Sequence, residues 1–135
     1  MRARALAAFG TVALLAACSS GPAAPTSAIT AKLVDWSMDL GGATGKAGAI
    51  TFTVTNNGAN VHEFVIVKTD LKADSLPVTG ELVDESAFTP VDEIEDIATG
   101  STQTLSVDLA AGHYVILCNI EEHYAKGMHT DLTVQ

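Results

Sequence analysis

The sequence predicts an all-β domain of about seven or eight short strands, a sandwich or a small barrel, with an acidic, partly ordered insert. Three observations carry this. From Ile29 onward the apolar residues recur with period two, and no helical stripe of any length appears. The alternating runs are rich in β-branched residues. They are separated by Gly, Asn and Pro turn signals, as many short strands in layers require. At 135 residues the chain has room for one domain and not two.

Residues 1–17 stand outside that pattern. Arg2 and Arg4 precede an apolar run, Leu6 to Ala17, too short to span a bilayer as a permanent helix. This is the form of a secretory signal peptide. The run ends in Leu15-Ala16-Ala17-Cys18, which resembles the lipobox of bacterial lipoproteins. The resemblance implies cleavage before Cys18 and lipid on its sulfur, anchoring an exported protein to the outer face of the cell membrane or its periplasmic side. An ordinary signal peptide with an incidental cysteine is the alternative. Residues 18–28 read as the lipidated cysteine and a flexible linker, and 29–135 as the folded domain. Residues 19–27 can reach at most about 30 Å from the surface.

Cysteine use and charge narrow the function. The chain has two cysteines; lipid on Cys18 leaves Cys118 without a disulfide partner in an oxidising compartment, a reason to look for a metal on that thiol. Loss of 1–17 removes both arginines and leaves five lysines against sixteen carboxylates, a balance of −11. That excludes nucleic acid as a partner and favours a basic protein.

The elements follow in order. Ile29 to Trp36 alternates loosely as a first strand, and a glycine-rich loop runs from Gly41 to Gly48. Ile50 to Thr55 alternates cleanly and is closed by the turn Asn56-Asn57-Gly58. Val61 to Thr69 is the next strand. Residues 70–97 carry nine acids against Lys72 alone, broken by Pro77, Gly80 and Pro90. We expect them to form a solvated, partly ordered surface insert with one helical turn. Thr104–Leu109, Tyr114–Cys118 and Met128–Val134 complete six clear strands, with one or two more near 36–40 and 80–90.

Chemistry concentrates between the last two strands. Cys118, His123 and Met128 fall at five-residue intervals, and their side chains are types that soft or borderline metals prefer. Strand parity orients them. Cys118 shares a face with Tyr114 and Ile116, Met128 with Leu132 and Val134, and upstream His62 with Phe64 and Ile66. His129 falls on the opposite, outward face. Two imidazoles, a thiolate and a weak thioether make the donor set of a blue-copper electron-transfer site, one that serves both oxidation states with little movement. Taken singly, each of these residues reads more readily as plain core; spacing, parity and the unpaired cysteine together outweigh that. Trp36, Met38 and Tyr114 read as core or strand residues without a chemical task, His113 as a surface residue, and Glu121 and Glu122 as the exposed side of the loop.

The segment Gly112-His113-Tyr114-Val115-Ile116-Leu117-Cys118-x4-His123-x4-Met128 resembles the type I copper loop of the cupredoxins, with the spacing of the rusticyanin and sulfocyanin branch. Thr55-Asn56-Asn57-Gly58-x3-His62-Glu63-Phe64 resembles the cupredoxin segment that contributes the first histidine. The resemblance implies a Greek-key β-sandwich, one type I copper ion, His62, Cys118 and His123 as strong ligands and Met128 as the axial one. Where many cupredoxins place Asn or Ser after the first histidine, this chain has Glu63. Glu63 and Asn119 are therefore the candidates for contacts that support the ligands.

The expected role is a membrane-anchored, monomeric carrier of single electrons, with His123 on a partly exposed loop as the electron port. Its partner would be a c-type cytochrome or oxidase domain with a basic docking face. A copper chaperone or scavenger, and a metal-free binding sandwich, are the rival readings. An enzyme is disfavoured because the four donors leave no open position for substrate.

Overall fold

The computed structural model describes residues 25–135; the expected signal peptide, the expected lipidation site Cys18 and most of the expected linker lie outside the described residues. The strands are β1 (Ala28–Val34), β2 (Ser37–Asp39), β3 (Gly48–Asn56), β4 (His62–Lys68), β5 (Val78–Thr79), β6 (Leu82–Val83), β7 (Thr89–Ile97), β8 (Thr102–Leu109), β9 (Gly112–Leu117) and β10 (His129–Val134). They build two four-stranded sheets, β2-β1-β3-β8 and β10-β9-β4-β7, with β5 and β6 as a small separate pair. β1 runs parallel to β3, and every other strand pairing is antiparallel. The chain changes sheet between β3 and β4, between β7 and β8, and between β8 and β9, so the two sheets face each other as a Greek-key sandwich. No helix among the described residues is long and apolar enough to cross a membrane.

The alternating pattern explains the main core. Ile29, Ala31 and Leu33 of β1 and Ile50, Phe52 and Val54 of β3 face Phe64 and Ile66 of β4, Tyr114 and Ile116 of β9, and Leu132 and Val134 of β10. Phe52 and Phe64 meet across the sheets at 5.3 Å between ring centroids. Period two alone does not account for β4 and β9, whose residues are buried on both faces. Their outward residues Val65, Val67, Val115 and Leu117 form a second core with Ala73, Leu76, Val83 and Tyr124, and Phe88 packs against it.

That second core revises the reading of the acidic segment. Residues 70–88 make two short 3₁₀ turns and the β5–β6 pair, and they lay Ala73, Leu76, Val83 and Phe88 on the outer face of the second sheet. The acids point outward, so the segment is solvated on one side only. Residues 89–97 are not part of the insert at all: they form β7, an edge strand paired with β4 through two irregularities. Only Ile94 and Ile97 of β7 are fully buried. An edge position accepts Pro90 and four outward carboxylates, and it erases the alternation by which a strand is recognised.

Candidate metal centre

The site lies at one end of the sandwich, where four chain segments meet. β4 begins with His62, β9 hands over to Cys118, the 119–127 turns carry His123, and Met128 leads into β10. All four residues are buried, and His62, Cys118 and Met128 are wholly so. One donor atom each from His62, Cys118 and His123 lies within 4.8 Å of the others. His123 Nδ1 stands 3.2 Å from Cys118 Sγ and 3.3 Å from His62 Nδ1. Met128 is tied in by its backbone: its carbonyl accepts from the Cys118 amide at 3.0 Å, and its amide donates to His123 at 3.1 Å. Parity correctly turned Met128 inward and left His129 half-exposed.

The surroundings set the charge state of each donor. Burial pushes the Cys118 thiol up; amide donation from Ile120 and Glu63 only partly opposes that, and the Glu63 carboxylate adds to the rise. The Glu63 N–H reaches Sγ at 3.2 Å. Burial lowers His123, and the nearby His62 and Lys126 charges lower it further. A neutral imidazole is the form that offers a lone pair. Without metal the site therefore favours a neutral Cys118 thiol beside a neutral His123 ring, and a bound cation would have to displace the thiol proton.

Both candidate supporting residues make contacts, in different directions. The Glu63 carboxylate accepts the Asn119 amide, so it joins the two ligand-bearing segments as an acceptor. Burial raises its pKa, and the charges of Glu93, Glu95 and Glu85 raise it further. The Asn119 side chain turns away from the donors. It accepts the Val83 N–H at 2.8 Å and donates to the Val83 carbonyl at 3.1 Å and to Glu85 Oε1 at 2.5 Å. Tyr124 does the same nearby, donating to the Ala73 carbonyl at 2.7 Å and accepting the Leu76 N–H at 2.9 Å. The ligand loop and the insert are thus one polar-bonded unit.

Several contributors were not anticipated. The two-residue connection between β1 and β2 brings Asp35 and Trp36 to the site. His62 Nε2 donates to Asp35 Oδ1 at 2.7 Å. Burial pulls the Asp35 carboxyl up, but hydrogen bonds from His62, Ala59 and Asn60 outweigh it and hold the group below its ordinary range. Trp36, expected as a core or strand residue without a chemical task, is instead 37% exposed in the turn and meets the His123 ring in a T-shaped contact, 5.0 Å between centroids. Lys126 sits 4.2 Å above the indole. His123, expected to be partly exposed, is only 8% so. Asn56 is a buried polar anchor: its amide donates to the Asn60 and Ile97 carbonyls, and its oxygen accepts the Gly58 N–H, each at 2.8 Å. The Asn-Asn-Gly signal disclosed a turn without disclosing this clamp. His113, expected at the surface, is half-buried and bridges the Thr69 carbonyl and Asp131 Oδ1.

Two imidazole nitrogens and a sulfur, buried and converging, fit a cation that accepts both nitrogen and thiolate donors. The sulfocyanin (SoxE) domain family matches residues 44–135, which include all four candidate donors. The chain belongs to the sulfocyanin (SoxE) domain family. As a sulfocyanin-family domain it shares its fold with solved cupredoxins. The structure of dithionite-reduced auracyanin from Roseiflexus castenholzii is similar, with 23% identity, a TM-score of 0.66, and coverage of 83% of this chain and 99% of that one. Rusticyanin from Thiobacillus ferrooxidans matches at 19% identity and a TM-score of 0.57, covering 80% of this chain and 76% of that one. Auracyanin A from Chloroflexus aurantiacus, described as a "blue" copper protein, matches at 20% identity and 0.54, covering 80% and 99%. No curated protein gives a significant match.

Proposed function

We propose that this sulfocyanin-family protein carries single electrons, holding one type I copper ion with His62 Nδ1, Cys118 Sγ and His123 Nδ1, and with Met128 as a weak fourth donor. The observation that carries the reading is the convergence of three buried donor atoms within 4.8 Å of one another. Copper so held supplies a one-electron couple and no vacant position for substrate. The chain's own part is to keep the donors fixed in both states. Tethers from Glu63, Asn119 and Tyr124 hold the loop, and burial keeps water away. His123 and the edge of Trp36 lie nearest the surface, so electrons would enter and leave at that end. Exposed, Met- and His-rich donors would suit a copper chaperone; a single buried thiol suits retention.

The finer picture belongs to the same proposal. The protein is exported and lipid-anchored through Cys18 to the outer face of the membrane, and it meets redox proteins with a basic face, such as a c-type cytochrome or an oxidase domain. The acids on β7 together with Glu63 and Glu85 would steer such a partner.

The test is addition of Cu(II) to the protein expressed without its leader. An intense thiolate-to-copper absorption band, a small copper hyperfine splitting and quenching of the emission of Trp36, the only tryptophan, are expected. Cys118→Ala should abolish the band. Pale copper binding would replace this reading with copper handling, and no binding would replace it with a metal-free domain.

A further inference from the structure

One charged group in contact with the site has no part in the function proposed so far. Asp35 lies on the β1–β2 connection, far in sequence from every candidate ligand, and it is 21% exposed. Its Oδ1 accepts from His62 Nε2 at 2.7 Å. Its Oδ2 accepts the Ala59 N–H at 3.1 Å and the Asn60 side-chain amide at 2.9 Å. The carboxylate is thus held from behind by the loop that precedes His62, and its forward oxygen faces the imidazole. Gly58 makes room for the pair. A Cβ at that position would collide with Asp35 Oδ1 and stand 2.8 Å from His62 Nε2. The imidazole has only two nitrogens, so a proton held on Nε2 by Asp35 leaves Nδ1 as the free lone pair, and Nδ1 is the atom that faces His123.

We propose that Asp35 is a positioning residue for the metal centre: it fixes the His62 tautomer and ring angle, and its negative charge favours the oxidised ion over the reduced one. This rests on the copper reading above. A carboxylate behind a ligating imidazole makes the ring a stronger donor, and removing such partners typically weakens metal binding about 10- to 100-fold. The oxidised ion carries one more positive charge, so it loses more than the reduced ion does.

Asp35→Asn keeps an acceptor for Nε2 while removing the charge. The expected result is a copper protein whose Cu(II)-over-Cu(I) preference falls about tenfold, read as a rise in midpoint potential of about 59 mV. Asn60→Ala removes one support of the Asp35 carboxylate without touching its charge. It should lower the unfolding midpoint and leave the potential in place. If Asn60→Ala shifts the potential as far as Asp35→Asn, loop order and not charge is responsible, and the inference is overturned. A blue parent whose potential is unmoved by Asp35→Asn overturns it as well, while the copper reading stands. A parent that takes up no copper overturns both. Should Asp35→Asn not fold, proton–nitrogen NMR of the reduced parent decides. A slowly exchanging His62 ring proton on Nε2 is expected, and a proton on Nδ1 would refute the assignment.

Discussion

Tyr124→Phe tests how firmly the insert braces the ligand loop. The Tyr124 hydroxyl donates to the Ala73 carbonyl and accepts the Leu76 N–H, and Ala73 and Leu76 are 3% and 6% exposed. Removing the oxygen keeps the ring, its place in the second core, and its 4.8 Å approach to His129. What is lost is the partner of one buried carbonyl and one buried amide. Leaving a buried polar group unmet costs ~1–3 kcal/mol. Both groups belong to a short 3₁₀ segment that can shift slightly toward water, so we expect a total of about 2–3 kcal/mol. At ~4–8 °C per kcal/mol for a domain of this size, the metal-free protein should melt roughly 10 °C lower. Urea unfolding gives the free energy; an unchanged denaturant slope would show that compactness is kept. Amide exchange at Leu76 should accelerate by a similar free energy, while exchange at Ile66 and Ile116 in the main core follows only the global change. A loss below about 0.5 kcal/mol would refute the reasoning, because a hydroxyl so replaceable could not be what joins the insert to the loop.

Three further outcomes follow from the site. Without metal, stability should peak between the ordinary imidazole value of 6.5 and the ordinary thiol value of 9.0. His123 is lowered in the fold, so the unfolded chain takes up its proton first and stability falls as pH drops below that window. Cys118 is raised in the fold, so the unfolded chain loses its proton first and stability falls as pH climbs above it. Urea midpoints across pH check this, and Cys118→Ala should flatten the alkaline limb. Met128→Leu should retain copper and raise the potential, because a weak donor is replaced by hydrocarbon in a wholly buried place; voltammetry giving a lower potential would contradict the axial role. Electron exchange with a basic c-type cytochrome should slow several-fold between low and physiological ionic strength, measured by stopped flow, and a salt-independent rate would exclude steering by the acidic face.

What could be read from the sequence was whatever local pattern controls. Cys118, His123 and Met128 share one loop, and parity with Ile116 and Leu132 settled which way the strand residues face. His62 was found by the same parity on β4. Asp35 could not be found so. Its approach to His62 depends on β1 lying parallel to β3 and on the turn at Asn56–Gly58, and neither partner's neighbours in sequence announce it. Strand β7 was missed for a different reason. Its acids and Pro90 are tolerated because one edge is unpaired, and edge strands need little burial.

The acidic segment shows why these omissions belong together. Its carboxylates gave it the look of a solvated loop, yet three of its apolar residues, Ala73, Leu76 and Val83, are buried while Leu71, Val78 and Leu82 stay exposed. The buried three cover the side of β4 and β9 that the sandwich leaves open, and β4 and β9 are the strands that present His62 and Cys118. Asn119 and Tyr124, from the ligand loop, reach outward to bond that cover, while the Asp35 carboxylate supports His62 from the opposite sheet. The donors are therefore held between two supports of different kind, an apolar cap with buried hydrogen bonds and a carboxylate backed by a loop. Loosening the cap should cost stability with little change in potential, and neutralising Asp35 should change potential with less cost in stability.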